Sequence, residues 1–388
     1  MNVYVRQLAA GLARSGVSVD VYTRADDSAL PAIVDVEPGL RVHHIAAGPL
    51  APVAKASLPG VVSEFVEGVS LRMRGGYPAD AIHANYWLSG VAGHELKHRF
   101  DLPLGCTFHT LARVKGLDSG DARDRDRAEA AVIGCSDGVL ASCPDEADQL
   151  IRLYGADPLR VSIVSPGVDR AFFSPGSRAG ARRAIARLTS SGSASPIDGE
   201  RPIVLYVGRV QPLKGVDIAV EAFARLDRSA LLMVVGGPSG PEGVAYEASV
   251  RRRAAALGVA DRILWIAPQP HETLGSYYRA ADVVLVPSQS ESFGLVALEA
   301  AACGIPVVAT AVGGLHTLVL DGHTGFLRER SPAAFAEAAQ LVLGDARRSA
   351  EMGRAAAAHA QSFTWAAAAA SLAKLFAELI DRVPVACS

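Results

Sequence analysis

The chain has 388 residues, half of them hydrophobic and 20% charged, which is enough for two globular domains and too apolar for a disordered protein. Its formal net charge of −2 leaves no electrostatic footprint for nucleic acid. No run reaches the ~18 uninterrupted apolar residues of a membrane span. Residues 1–20 are amphipathic, with Arg6 and Arg14 among them, unlike a signal peptide. Five cysteines (Cys106, Cys135, Cys143, Cys303, Cys387) lack C-x-x-C spacing and read as reduced, mostly buried thiols of a cytoplasmic protein.

In chain order, the sequence opens on a helix. Val3, Leu8 and Leu12 recur at helical spacing, and Arg14-Ser15-Gly16 ends it. A doubly wound domain should open on a strand and a glycine turn, so the sequence reads as beginning late, after that strand. Strand-like runs follow at 17–23, 41–45, 81–84, 104–108, 138–142 and 161–164. Helices are expected between them, for example over 87–100, 125–133 and 144–154. Residues 175–201 are rich in Gly, Ala, Ser and Arg and read as a linker, with 189–200 as an exposed insertion. Further strands are expected at 203–207, 231–235, 263–266, 283–286 and 307–309, and alanine-rich helices at 332–343, 346–361 and 364–383. This alternation predicts an α/β fold of parallel sheets with helices on both faces. The predicted division is 1–168, 169–365 and a terminal helix, 366–388, crossing back to the first domain.

Two segments carry chemistry. Asp282 to Ser288 is an apolar strand, and Glu291-Ser292-Phe293-Gly294-Leu295-Val296-Ala297-Leu298-Glu299 follows it as a turn and a helix. A helix start offers free N–H groups and attracts an anion such as a diphosphate. A carboxylate at such a mouth repels that anion unless it has another task, such as accepting from sugar hydroxyls. The second segment, Val204 to Gly215, is a strand and a turn with two cations, Arg209 and Lys214.

With the Gly-rich Gly236-Gly237-Pro238-Ser239-Gly240, these segments resemble retaining, nucleotide-sugar-dependent glycosyltransferases of the two-Rossmann GT-B type, family four. His83 to Gly90, Phe108 to Lys115, Ile45 to Pro49 and the opening eight residues resemble its actinobacterial members that move N-acetylglucosamine from its UDP form to inositol phosphate, the first step of mycothiol synthesis. The resemblance implies a UDP-sugar donor and a small phosphorylated polyol acceptor, with a homodimer as one assembly. Arg209 and Lys214 would hold the diphosphate, and Glu299 the ribose hydroxyls. Glu291 would take the sugar hydroxyls, with the amides of Ser292, Phe293 and Gly294 facing the phosphates. Gln269 matches a base contact, and His109 would face the transferred sugar. Met1, Asn2, Lys55, Tyr86, Thr110 and Arg125 match the acceptor pocket. Tyr278, Arg279 and Ala281 match a structural Mg2+ position built from backbone carbonyls; no catalytic metal is implied.

Plainer readings stand beside these. Arg209 also suits a strand end and Lys214 a helix start. Glu291 suits a capping carboxylate and His109 a core histidine. Asn85 departs from the family pattern, and 116–126 is shorter than expected, so Arg125 is placed by its i, i+4 spacing to Glu129. Rival activities are another family-four transferase, of the sucrose-phosphate-synthase or lipid-glycan kind, and an inactive nucleotide-binding remnant.

Overall fold

The computed structural model describes residues 2–116, 120–189, 197, 201–240 and 242–387. The chain divides into two units, Met1–Gly167 with Thr364–Ser388, and Val168–Phe363. Unit 1 runs α1 (Asn2–Arg14), β1 (Val19–Arg24), β2 (Ile33–Glu37), β3 (Leu40–Ile45), α2 (Val62–Arg74), β4 (Ile82–Asn85), α3 (Trp87–Phe100), β5 (Leu104–Thr107), α4 (Ala112–Lys115), α5 (Gly120–Cys135), β6 (Gly138–Ala141), α6 (Pro144–Tyr154) and β7 (Val161–Ile163). Its strands form two sheets. One has the order β1-β3-β2 and the other, wholly parallel, β4-β5-β6-β7. β2 is a strand the sequence reading missed. It pairs antiparallel with β3 through a tight turn, and its partly exposed face carries no strong apolar run.

Unit 2 runs α7 (Arg178–Thr189), β8 (Ile203–Val207), α8 (Val216–Phe223), β9 (Leu231–Val235), α9 (Gly243–Ala256), β10 (Ile263–Ile266), α10 (Leu274–Ala280), β11 (Val283–Val286), α11 (Leu295–Ala302), β12 (Val307–Thr310), α12 (Leu315–Leu318), β13 (Gly325–Arg328), α13 (Pro332–Leu343) and α14 (Ala346–Ala360). One parallel six-stranded sheet has the order β10-β9-β8-β11-β12-β13. Every residue of β9, β11 and β12 is buried, because helices cover both faces and each strand reads as a continuous apolar run. Residues 178–189 of the supposed linker form α7. Ala181, Ile185 and Ala186 are buried, and Arg182 donates to Asp282 at 2.8 Å. Apart from Ile197, residues 190–200 of the expected insertion lie outside the described residues.

The last helix, α15 (Trp365–Ile380), belongs to unit 1. Thr364 caps it, accepting from the Ala367 N–H at 3.1 Å. Its buried face of Trp365, Ala368, Ala369, Leu372 and Leu379 packs on α1, so closely that a Cβ at Gly11 would lie 2.9 Å from the Ala369 Cβ. By length and composition the stretch Ala346–Ile380 suffices to cross a membrane. Gln361 to Thr364 nevertheless breaks it into α14 and α15, whose apolar faces are buried within separate units. Cys106, Cys143 and Cys303 are buried free thiols. The expectation of five separate thiols fails for Cys135 and Cys387, whose sulfurs are in bonding contact across 252 residues. Spacing along the chain does not reveal so distant a pair.

The turns after β8 and β9 pass in contact at Gly236. Its φ is +150°, and a Cβ there would sit 1.9 Å from the Gly208 carbonyl oxygen. Gly258 has φ +67° with nothing within 4 Å of its Cβ position. Gly258→Ala should therefore cost only the left-handed backbone penalty, about 1 kcal/mol, and Gly236→Ala about 3 kcal/mol or more. Urea denaturation of both variants checks this; equal midpoints would show that the β8 and β9 turns separate freely.

Candidate active site

In an open parallel sheet, ligands bind beyond the C-terminal strand ends where the strand order reverses. In unit 2 that point lies between β8 and β11, which pair directly. Both chemistry-bearing segments leave the sheet there. The turn after β8 holds Arg209 and Lys214, and the turn after β11 holds Glu291 to Gly294.

The two turns are tied to each other. Gln289 N–H donates to the Leu213 carbonyl at 2.9 Å. Gly215 has φ +70°, and a Cβ on it would lie 2.3 Å from the Pro287 oxygen, so only glycine fits. Arg330, which the sequence reading did not single out, donates to the Pro287 carbonyl at 3.0 Å and to the Pro212 carbonyl at 3.1 Å. Lys214 Nζ donates to Glu291 Oε2 at 2.5 Å, and Ser288 Oγ reaches the same oxygen at 3.2 Å. The Glu291 backbone is held as well, its carbonyl accepting from Gly314 N–H at 3.1 Å. Arg209 is exposed and makes no side-chain hydrogen bond or ion pair with a described residue. An exposed cation beside an ion pair has the chemistry to meet an anion.

Gly294 caps α11 with φ +104°, leaving the first amides of the helix without intrahelical acceptors. The Phe293 side chain is buried, its ring 5.8 Å from that of Phe363, so Phe293 can offer a ligand only its backbone. Gln269 follows β10 at the same sheet end, its amide donating to the Ala267 carbonyl at 3.0 Å. Glu299 is buried inside α11, but it is not a lone carboxylate. Tyr278 Oη donates to Glu299 Oε2 at 2.8 Å, and His271 Nε2 lies 2.7 Å from Oε1. The Glu299 hydrogen bond is the main cause that raises the His271 pKa above the ordinary histidine value. Each carboxylate oxygen keeps a second acceptor site. The sequence reading missed His271, since nothing local marks a histidine 28 residues from its partner.

Tyr278, Arg279 and Ala281 close α10, where backbone carbonyls are orphaned. The residues present fit Mg2+ poorly. The Tyr278 carbonyl accepts from Ala281 N–H, the adjacent Ala280 carbonyl accepts from Arg182, and Arg279 donates to the Phe172 carbonyl. Asp282, the next carboxylate, is committed to Arg178 and Arg182. Neutral carbonyls beside guanidinium groups are a weak set for a hard divalent cation.

In unit 1, four residues assigned to the acceptor converge. Lys55 Nζ lies over the Tyr86 ring, 5.4 Å from its centroid, and the Arg125 guanidinium lies 5.2 Å from the same centroid. Arg125 also donates to the Thr110 hydroxyl at 3.1 Å and to Glu129 at 2.7 Å. Glu129 is fully buried and further accepts from Tyr154 Oη and Ala112 N–H, so it fixes Arg125 from behind. Tyr86 has φ +81°, and its hydroxyl is buried with no hydrogen-bond partner among the described residues. His109 follows β5, with φ +61°, and its Nε2 lies 3.0 Å from Asn85 Oδ1. Burial, with His83 nearby, pushes its pKa down to about 3, so the imidazole is neutral at pH 7. Asn2 starts α1 and is exposed; Met1 lies outside the described residues.

Residues 162–359 match the model of glycosyl transferases group 1, and residues 1–167 that of a glycosyl transferase 4-like domain. The chain is 44% identical to the D-inositol 3-phosphate glycosyltransferase of Xylanimonas cellulosilytica, over 99% of this chain and 93% of that protein. It is 45% identical to its namesake from Acidothermus cellulolyticus, over 94% and 82%. Among solved structures it is similar to the sucrose-phosphate synthase of Thermosynechococcus elongatus, with TM-score 0.87 and 33% identity over 97% and 93% of the two chains. The catalytic domain of Arabidopsis thaliana starch synthase IV shares the fold, with TM-score 0.75 and 17% identity over 98% and 95%. With both family models tiling most of its length onto two α/β units, the chain belongs to the group 1 glycosyltransferases, enzymes of the GT-B fold and family four.

Proposed function

We propose that the enzyme transfers N-acetylglucosamine from UDP-N-acetylglucosamine to 1D-myo-inositol 3-phosphate with retention of configuration, the step that opens mycothiol synthesis. The observation that carries the acceptor is the cluster in unit 1. Two cations and a threonine hydroxyl gather around Tyr86, whose buried hydroxyl lacks a partner, and an orphaned buried polar group is rare without a ligand to satisfy it. A phosphorylated polyol brings both the charge and the hydroxyls. The names of relatives above 40% identity support the same acceptor. A cytoplasmic setting suits such soluble substrates.

On the donor side, Arg209 and Lys214 meet the diphosphate, and their charge stabilises the leaving group as its own charge grows. The incoming phosphate shares Lys214 with Glu291, which frees the carboxylate to accept from sugar hydroxyls. Amides at the start of α11 take the remaining phosphate oxygens. Glu299 accepts ribose hydroxyls through the acceptor sites that Tyr278 and His271 leave open. Gln269 borders the base. Neutral His109 offers a hydrogen bond to the transferred sugar without adding charge. No carboxylate in these segments is set up as a nucleophile. The fitting scheme has a donor phosphate oxygen take the acceptor proton on the face from which the diphosphate leaves.

A panel of UDP- and GDP-sugars against inositol 3-phosphate, inositol and a phosphorylated hexose, read by nucleoside diphosphate release and product NMR, tests the reading. Turnover should be confined to UDP-N-acetylglucosamine with inositol 3-phosphate, giving an α-linked product. Preference for the phosphorylated hexose would move the enzyme to the sucrose-phosphate-synthase side of the family. No release with any pair would leave a nucleotide-binding protein.

Arg209→Ala and Lys214→Ala should each lower kcat a hundredfold or more, about 3 kcal/mol of lost transition-state stabilisation. Near-normal turnover in both would remove the diphosphate from this turn. Lys55→Ala should raise KM for the phosphorylated acceptor about tenfold and leave UDP affinity unchanged. An equal rise for unphosphorylated inositol would deny Lys55 its phosphate.

Glu299→Gln should weaken UDP binding and also bring the His271 pKa back down. Because that pKa is raised in the folded state, the His271–Glu299 contact stabilises the fold below the ordinary histidine value. The contribution is lost as pH rises through the raised pKa. NMR titration of His271 in both forms, beside calorimetry with UDP, reads the two effects separately. An unshifted His271 with unchanged UDP affinity would reduce Glu299 to a spectator.

A further inference from the structure

Away from the site, unit 1 gathers a second set of chemistry-bearing side chains. His94 and His98 sit one turn apart on α3, Cys135 is the last residue of α5, and Cys387 lies in the tail after α15. One ligand atom from each lies within 4.8 Å of all the others. His98 Nε2 is 3.4 Å from the Cys135 sulfur and 3.1 Å from the Cys387 sulfur. The two imidazole rings meet edge to face with centroids 5.0 Å apart. We propose that these four residues form a tetrahedral Cys2His2 zinc site that fastens the C-terminal tail to the body of unit 1.

The sulfur-to-nitrogen distances suit that metal, whereas the two sulfurs, in bonding contact here, must part to about 3.7 Å to hold it. Bonds of about 2.3 Å to sulfur and about 2.0 Å to nitrogen, at tetrahedral angles, place sulfur and nitrogen roughly 3.5 Å apart. Two thiolates and two soft imidazoles select zinc over magnesium or calcium. Two thiolates also cancel the charge of Zn2+, so the partly buried site carries no net charge. A disulfide between Cys135 and Cys387 would satisfy the sulfurs alone. It would leave unexplained why two histidines face them and why His94 Nε2 is buried with no hydrogen-bond partner among the described residues.

The surroundings prepare the ligands. Lys97, buried between the two histidines in sequence, donates to the Cys135 carbonyl at 2.9 Å and to Asp137 at 2.6 Å. The other carboxylate oxygen of Asp137 accepts from Val385 N–H at 2.6 Å, which sets the tail two residues before Cys387. Starting from the two thiols, zinc binding releases their protons to solvent with no redox change; a Cys135–Cys387 disulfide is first cleaved by two electrons and two protons from a dithiol reductant.

The test uses the full chain, purified under reducing conditions from zinc-supplemented cells. Elemental analysis should find about one zinc per chain. Exchange with Co2+ should give the visible bands of a tetrahedral ion and a thiolate-to-cobalt charge-transfer band. Cys387→Ser and His98→Asn should each weaken zinc binding a hundredfold or more and abolish the charge-transfer band or shift it, whereas Cys303→Ser should change neither. Cys387 lies beyond the last helix, so its variant stays informative even if His98→Asn misfolds. A metal-free chain with a complete Cys135–Cys387 disulfide, trapped by alkylation at lysis, would overturn the proposal. So would full zinc content in Cys387→Ser.

Discussion

One backbone hydrogen bond, from Gln289 N–H to the Leu213 carbonyl, joins the turns that leave the sheet on either side of its reversal point. Around it, Gly215 lets the first turn lie against Pro287, and Arg330 grips a carbonyl of each turn. The contacts are mostly backbone to backbone, so they hold position without using side chains needed for a ligand. Lys214 and Glu291 are thereby brought into an ion pair, while Arg209 is left exposed beside it. β8 pairs with β11 in the middle of the sheet, where nearly every residue of both strands is buried, and this holds the junction in place. A site that must stabilise charge as it develops depends on such preorganisation, since cations that had to be collected during the reaction would contribute far less.

Unit 1 reaches its own cluster by a different route. Tyr86 and His109 are non-glycine residues at positive φ, and both follow strands of the β4–β7 sheet. Such backbone is unfavourable by about 1–3 kcal/mol per residue and persists only where surroundings impose it. Here Tyr86 N–H donates to the Thr107 carbonyl and its ring carries two cations, while His109 is held by Asn85 and packed edge-on by Tyr4. Glu129 acts behind the site. By absorbing Tyr154, Ala112 and Arg125 at once, a buried carboxylate fixes a guanidinium that would otherwise sweep through solvent.

Long-range ties of this sort recur through the molecule. α15 closes over α1, and the tail beyond it reaches Asp137 and the sulfur of Cys135. Lys97 and Asp137, buried together, are satisfied by backbone groups as well as by each other, which is what makes a buried ion pair tolerable.

The sequence by itself determined the parallel α/β class, the positions of the buried strands and the two turns that carry Arg209, Lys214 and Glu291, because each is a local pattern. A short continuous apolar run bounded by turn residues reads as a strand covered on both faces, and a glycine turn with cations or carboxylates at a strand end is legible within a dozen residues. It also marked Lys55, Tyr86, Thr110 and Arg125, although only through resemblance and not through any spacing they share. Only the tertiary structure decided that Glu299 is held by Tyr278 and His271, that Arg330 braces both turns, that 178–189 is a packed helix and not a linker, and that two histidines and two cysteines meet. The hydrogen-bonded partners among these include pairs 21 residues apart, Tyr278 with Glu299, and 289 apart, His98 with Cys387. No periodicity along a sequence encodes such distances; they are fixed when helices settle onto a sheet and bring remote side chains to one place.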